Sequence, residues 1–187
     1  MDPDGALAVP GAQEIVGALA QLTEFAVRCR IPIIASADAH DPEDAEFKDF
    51  PPHCVAGTPG QKKIAQTSPA SSQPADEGRI DEQVKALRSG ELAQLVIEKQ
   101  ALDVFTEPAA DRVLSALRPR RVVVYGVTTE YCVLRAVLGL RERGYRVTVL
   151  EDAVKAVDDD SGRKAIEQMT RAGARLDRTA SVVAGCE

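Results

Sequence analysis

The sequence predicts an α/β fold built on a parallel sheet, folded as a single domain. Three observations carry that expectation. From residue 95 onward, short apolar runs alternate with segments of helical periodicity, the pattern of βαβ units. One of those runs, Arg121 to Val127, contains Val-Val-Val-Tyr, apolar enough for burial on both faces. The length, 187 residues, suits one compact domain with a substantial core.

Taken in order, residues 10–30 place Ile15, Leu19, Leu22, Ala26 and Cys29 at helical spacing, which makes Cys29 a core residue. Residues 31–37 form a short buried strand with Pro32 near its start. Residues 38–60 are polar, acidic and rich in Pro and Gly, a long ordered loop of the kind that usually carries function. Residues 66–79 are biased in composition, and a flexible surface insertion is expected around 66–80. Strands then follow at 95–99, 121–127 and 146–150, helices at 108–118, 130–143 and 161–172, and a last short strand at 180–184. The chain opens with a turn and a helix, so the sheet lacks a strand before that helix.

Composition narrows the function. A net charge of −6 and the lack of a basic patch speak against nucleic acid or an anionic membrane as partner. No apolar run approaches the roughly 20 residues that span a bilayer, and residues 1–5 do not read as a signal peptide. A cytoplasmic protein with a small-molecule partner is expected; the sequence leaves oligomeric state open, a homo-oligomer included. Four widely spaced cysteines, Cys29, Cys54, Cys132 and Cys186, are expected as free thiols.

Sites in a parallel α/β sheet form beyond the carboxyl ends of the strands. Three segments deliver polar residues there: Asp38, Lys99 and Cys132. Cys132 falls in the first turn of a helix, where unpaired N–H groups and the macrodipole favour a thiolate. The same N–H groups could stabilise an oxyanion, and the alternative is a buried thiol packed under the sheet. Lys99 could stabilise that thiolate or hold a carboxylate, or simply snorkel to water from the strand end. His40 and His53, the only histidines, share the long loop with Asp38 and Glu46. Two imidazoles with one or two carboxylates suit Zn²⁺, Fe²⁺ or Mn²⁺; the alternative is two solvated loop histidines. Phe50 is either a core residue or a wall for a flat substrate.

In combination these segments resemble a known family. Asp38-x-His40 followed by Phe50-Pro51-Pro52-His53-Cys54-Val55-x-Gly57-Thr58-x-Gly60 is similar to the metal-binding loop of nicotinamidases. Glu98-Lys99 with Asp103-x-Phe105, Gly126 to Val133, and Glu151-Asp152-Ala153 resemble motifs of the wider isochorismatase-like cysteine hydrolases. The resemblance implies a doubly wound, six-stranded, Rossmann-like α/β/α fold and an Asp–Lys–Cys triad. Cys132 would be the nucleophile and Lys99 the lysine. Asp38, His40 and His53 would hold a divalent metal ion, with Glu46 where some members add a ligand. A cis peptide at Val127-Thr128 would turn N–H groups toward the substrate, and Phe50 and Tyr131 would pack against its ring.

One motif of that family has no counterpart. The triad aspartate ends the first strand, in Asp-x-Gln-x-Asp-Phe just before the turn that Gly5 to Gly11 resembles. Asp2 and Asp4 lie on the wrong side of that motif, and neither is assigned as the base. Either Met1 is internal to a longer protein, the reading favoured by the intact remaining motifs, or this is a truncated form without a general base. The leading expectation is a metal-assisted amidase of nicotinamidase type, in NAD salvage. The alternatives are a hydrolase of another amide or ureido group, and a silent paralogue that only binds a small ligand.

Overall fold

The computed structural model describes residues 4–184; Asp2 and Cys186 lie outside them. A 3₁₀ turn at Ala12–Ile15 leads into α1 (Val16–Arg28), which buries Leu19, Leu22, Phe25 and Ala26 on one face. The first strand, β1 (Ile33–Asp38), enters the long loop. A short strand, β2 (Ser72–Pro74), and α2 (Ile80–Ser89) come next, followed by β3 (Gln94–Lys99) and α3 (Pro108–Leu117). After β4 (Val122–Val127) a π-helical turn at Thr129–Val133 runs into α4 (Leu134–Glu142). The chain closes with β5 (Val147–Lys155), α5 (Asp159–Arg171), β6 (Arg175–Asp177) and α6 (Thr179–Val183).

All pairings are parallel, and the order is β1-β3-β2 in one sheet and β4-β5-β6 in the other. Layering follows from the two-residue period of the strands. In β4, Val122 and Val124 pack with Val137, Leu140, Val149 and Met169 against α4 and α5. Val123, Tyr125 and Val127 turn the other way, onto Leu19 and Leu22 of α1 and Val182 of α6. A third core, of Ile80, Val84, Leu87, Leu95 and Val113, joins α2 and α3 to β3. The result is a three-layer α/β/α arrangement.

Several expectations need correction. The six strands do not make one continuous sheet: among the described residues β1 and β4 each have a single neighbour. Every residue of β4 is only half-buried, although helices cover both faces. Its residual exposure is therefore lateral, along an unpaired edge. Part of the stretch read as an insertion is β2, because its backbone finds a ladder on β3. The helix α2 went unread, since its polar residues outweigh a stripe of Ile80, Val84 and Leu87. The expected strand at 180–184 falls on the helix that ends at Val183, and the last strand comes earlier, at Arg175–Asp177. Of the cysteines, Cys54 and Cys132 are free, but Cys29 is disulfide-bonded and only half-buried at the end of α1.

One close packing contact ties α4 to the segment after β3. A Cβ at Gly139 would come within 2.3 Å of the Phe105 ring. That ring cannot swing aside freely, because the Arg143 guanidinium lies 3.7 Å from its centroid and is held by Asp111 at 2.5 and 2.9 Å. Gly139→Ala is therefore expected to destabilise the fold by about 1–3 kcal/mol despite the higher helix propensity of alanine, measured by urea unfolding.

Candidate active site

Strand register is the first determinant of the site. In the β1–β3 ladder Asp38 is the partner of Lys99, so two strand-end side chains of opposite charge stand side by side. The Lys99 ammonium donates to Asp38 Oδ1 and to the Ala101 carbonyl at 2.8 Å, and lies 3.5 Å from Cys132 Sγ. Its side chain is 2 % exposed, so the snorkelling alternative is excluded. Burial works against the Lys99 charge, but Cys132 and Asp38 outweigh it and hold its pKa above the ordinary lysine value.

Cys132 lies in the π-helical turn that follows β4, and the Val127-Thr128 peptide ahead of it is cis, as the family resemblance implies. The turn is fastened by Val133 N–H donating to the Thr128 carbonyl at 3.1 Å. The Glu130 carboxylate fixes it to the start of α5 by accepting from the backbone N–H groups of Val157 and Asp158. The expectation of a ready thiolate is corrected. Burial pushes the thiol pKa up, the Lys99 ammonium pulls it back, and Asp38 and Glu46 push it up again; the net direction is upward.

The loop after β1 brings Asp38, His40 and His53 together, with one ligand atom of each within 4.8 Å of the others. A parallel bridge between His40 and Val55 pins both ends of the loop. His53 Nδ1 lies 2.9 Å from the Pro51 carbonyl, which can only accept, so Nδ1 carries the proton and Nε2 a lone pair. His40 Nδ1 likewise faces the Asp44 carboxylate at 3.0 Å, leaving Nε2 bare. That His40 Nε2 is buried without a hydrogen-bond partner. Two lone pairs and a carboxylate converging on one point, each imidazole oriented through its other nitrogen, is the donor set a divalent metal needs. The residues therefore fit such an ion.

Glu46 Oε1 stands 3.7 Å from His53 Nε2 and 4.0 Å from His40 Nε2, beside the cluster. Phe50 meets the Tyr131 ring edge-on, with centroids 6.0 Å apart, which brings both aromatic candidates to one place. Asp44 was not singled out from the sequence. It orients His40 and caps the turn at Ala45–Lys48, and its carboxyl is held below the usual range by the Glu46 backbone N–H and by His40. Its place four residues after His40, in a loop dense with acids, gave no periodic signal.

Comparison with known proteins decides the lineage. The isochorismatase-domain profile matches residues 3–181. The chain belongs to this family. Its fold is similar to that of a pyrazinamidase/nicotinamidase from Streptococcus mutans, at TM-score 0.77 and 26 % identity over 94 % of this chain and 92 % of that one. A Pyrococcus horikoshii pyrazinamidase in complex with zinc is similar at TM-score 0.78 and 25 % identity, covering 94 % and 91 %. An N-carbamoylsarcosine amidase from Thermoplasma acidophilum is similar at TM-score 0.75 and 27 % identity, covering 94 % and 88 %. Among curated relatives, isochorismatase family protein 2A of Dictyostelium discoideum is 30 % identical over 90 residues, 48 % of this chain and 45 % of that protein. The chain thus aligns with less than half the length of that relative. No helix among the described residues is long and apolar enough to cross a membrane.

The upward displacement of the Cys132 pKa has a direct readout. In a Cys54→Ser background, the rate of iodoacetamide alkylation of Cys132 should rise with pH to a midpoint above about 8.5, the value of a free thiol. Lys99→Met removes the one group that lowers it, so the midpoint should move further up.

Proposed function

We propose that this isochorismatase-family chain is a cysteine amidohydrolase that converts nicotinamide, or a similar small aromatic carboxamide, to the acid and ammonia. The observation that carries the reading is the buried contact between Lys99 and Cys132 Sγ beside the two-histidine cluster. Cys132 Sγ attacks the amide carbon, its C–N bond breaks, and the thiol proton leaves with ammonia. Water then cleaves the thioester, releasing the acid and restoring the thiol. Lys99 stabilises the thiolate through its charge. Backbone N–H groups around Val127 and Thr128 stabilise the developing oxyanion, and Phe50 and Tyr131 pack against the ring. A divalent ion held by Asp38, His40 and His53, with Glu46 as a further neighbour, would supply a Lewis acid that orients the substrate's ring nitrogen.

The thiol proton needs an acceptor that returns it to the departing amine. Asp38 is committed to Lys99 and to the histidine cluster. In the Asp–Lys–Cys triad that the family resemblance implies, an aspartate takes that role. A second reading, hydrolysis of a carbamoyl or ureido group, is favoured by the likeness to the N-carbamoylsarcosine amidase.

Ammonia release from nicotinamide by the protein supplied with Zn²⁺ or Mn²⁺ tests the proposal. Turnover is expected, reduced at least about a thousandfold in Cys132→Ala. If the metal-supplied protein releases ammonia from N-carbamoyl amino acids but not from nicotinamide, the substrate assignment is wrong and the second reading stands. His40→Ala should cut metal content, read by elemental analysis, together with turnover, by about 10–100-fold or more.

A further inference from the structure

We infer that Lys99 sets the metal affinity of the Asp38–His40–His53 cluster by competing with the ion for the Asp38 carboxylate, an inference that rests on the reading of that cluster as a divalent-metal site. Two demands fall on one side chain. Asp38 receives the Lys99 ammonium through one oxygen, and it also supplies one of the three donors that stand within 4.8 Å of one another. Lys99 has little else to turn to. Among the described residues its remaining contacts are the neutral Ala101 carbonyl and Cys132 Sγ, and it is almost wholly withdrawn from water.

The energetics have one sign. Without an ion, Asp38 is stabilised by the ammonium, so a metal must draw on a carboxylate already engaged. With an ion bound, two positive centres share that carboxylate at short range in a buried site, where repulsion is poorly screened. Both effects lower affinity, and both vanish when the ammonium is replaced by a neutral side chain of similar length. The reverse expectation, that Lys99 merely holds Asp38 in place for the metal, predicts that the same replacement loosens binding. Coupling of this kind is reciprocal. An ion that takes up Asp38 leaves the Lys99 ammonium with Cys132 Sγ as its main side-chain partner, so occupancy of the metal cluster is communicated to the nucleophile without any movement of the strands.

The test is titration of the apo-protein with Co²⁺, followed by visible absorption. Absence of a sulfur-to-cobalt charge-transfer band shows that Cys54 and Cys132 are not ligands. Lys99→Met and Lys99→Gln are each expected to tighten Co²⁺ binding at least about tenfold, while Lys99→Arg keeps the parent affinity. Asp38→Asn weakens binding, and in that background Lys99→Met tightens it by clearly less than in the parent, because only the direct repulsion is left to remove. Two neutral variants guard against one failing to fold, checked by circular dichroism. Unchanged or looser binding in the neutral variants, with the parent still binding cobalt, overturns the competition and leaves the metal site standing. Full tightening that persists without the Asp38 carboxylate also overturns it. A parent that binds no cobalt overturns the metal site itself, and the competition with it.

Discussion

An ammonium group deep inside a protein must be neutralised where it stands, and the placement of Lys99 organises everything around it. It terminates β3, the central strand of its sheet, with Asp38 beside it on β1 and the Cys132 sulfur across from it in the turn after β4. Removing the Asp38 carboxylate leaves a poorly solvated charge, a loss of several kcal/mol in comparable buried pairs. The same interaction that holds the strand ends together therefore also presents the thiol. Structure and chemistry here depend on one side chain.

The histidine loop follows a different logic. Its order comes from hydrogen bonds that engage Nδ1 in both rings and so leave Nε2 free for a metal. Pro51 contributes through its carbonyl, which accepts the His53 proton. The short 3₁₀ turn at Ala45–Lys48, capped by Asp44, carries Glu46 back to the two rings. A loop this acidic is held compact by those contacts rather than by a core of its own.

Much of this was legible in the sequence, for identifiable reasons. Buried parallel strands advertise themselves through β-branched runs, as at Val122–Val124, and motif spacing singles out Asp38, His40, His53, Lys99 and Cys132. What could not be read depends on tertiary contacts. The polar Ser72–Pro74 becomes a strand only because β3 offers it a ladder. The Val182–Val183 pair looks like a strand but packs as a helix against α1. The thiol's proton affinity could not be judged from a helix N-terminus alone, because burial and two carboxylates oppose the effect. Asp44 escaped notice because an orienting role is a matter of geometry, not of residue type.

The two inner edges, β1 and β4, bear on the site in another way. The metal-ligand loop grows from one and the nucleophile turn from the other, and no ladder of backbone hydrogen bonds joins the two strands among the described residues. The distance between thiol and histidines is then governed by side-chain links, chiefly Lys99 and the Phe50–Tyr131 contact, rather than by sheet geometry. The candidate site is thus assembled across two ladders rather than on one. The geometry of the candidate site is consequently a property of the side chains that bridge the two ladders.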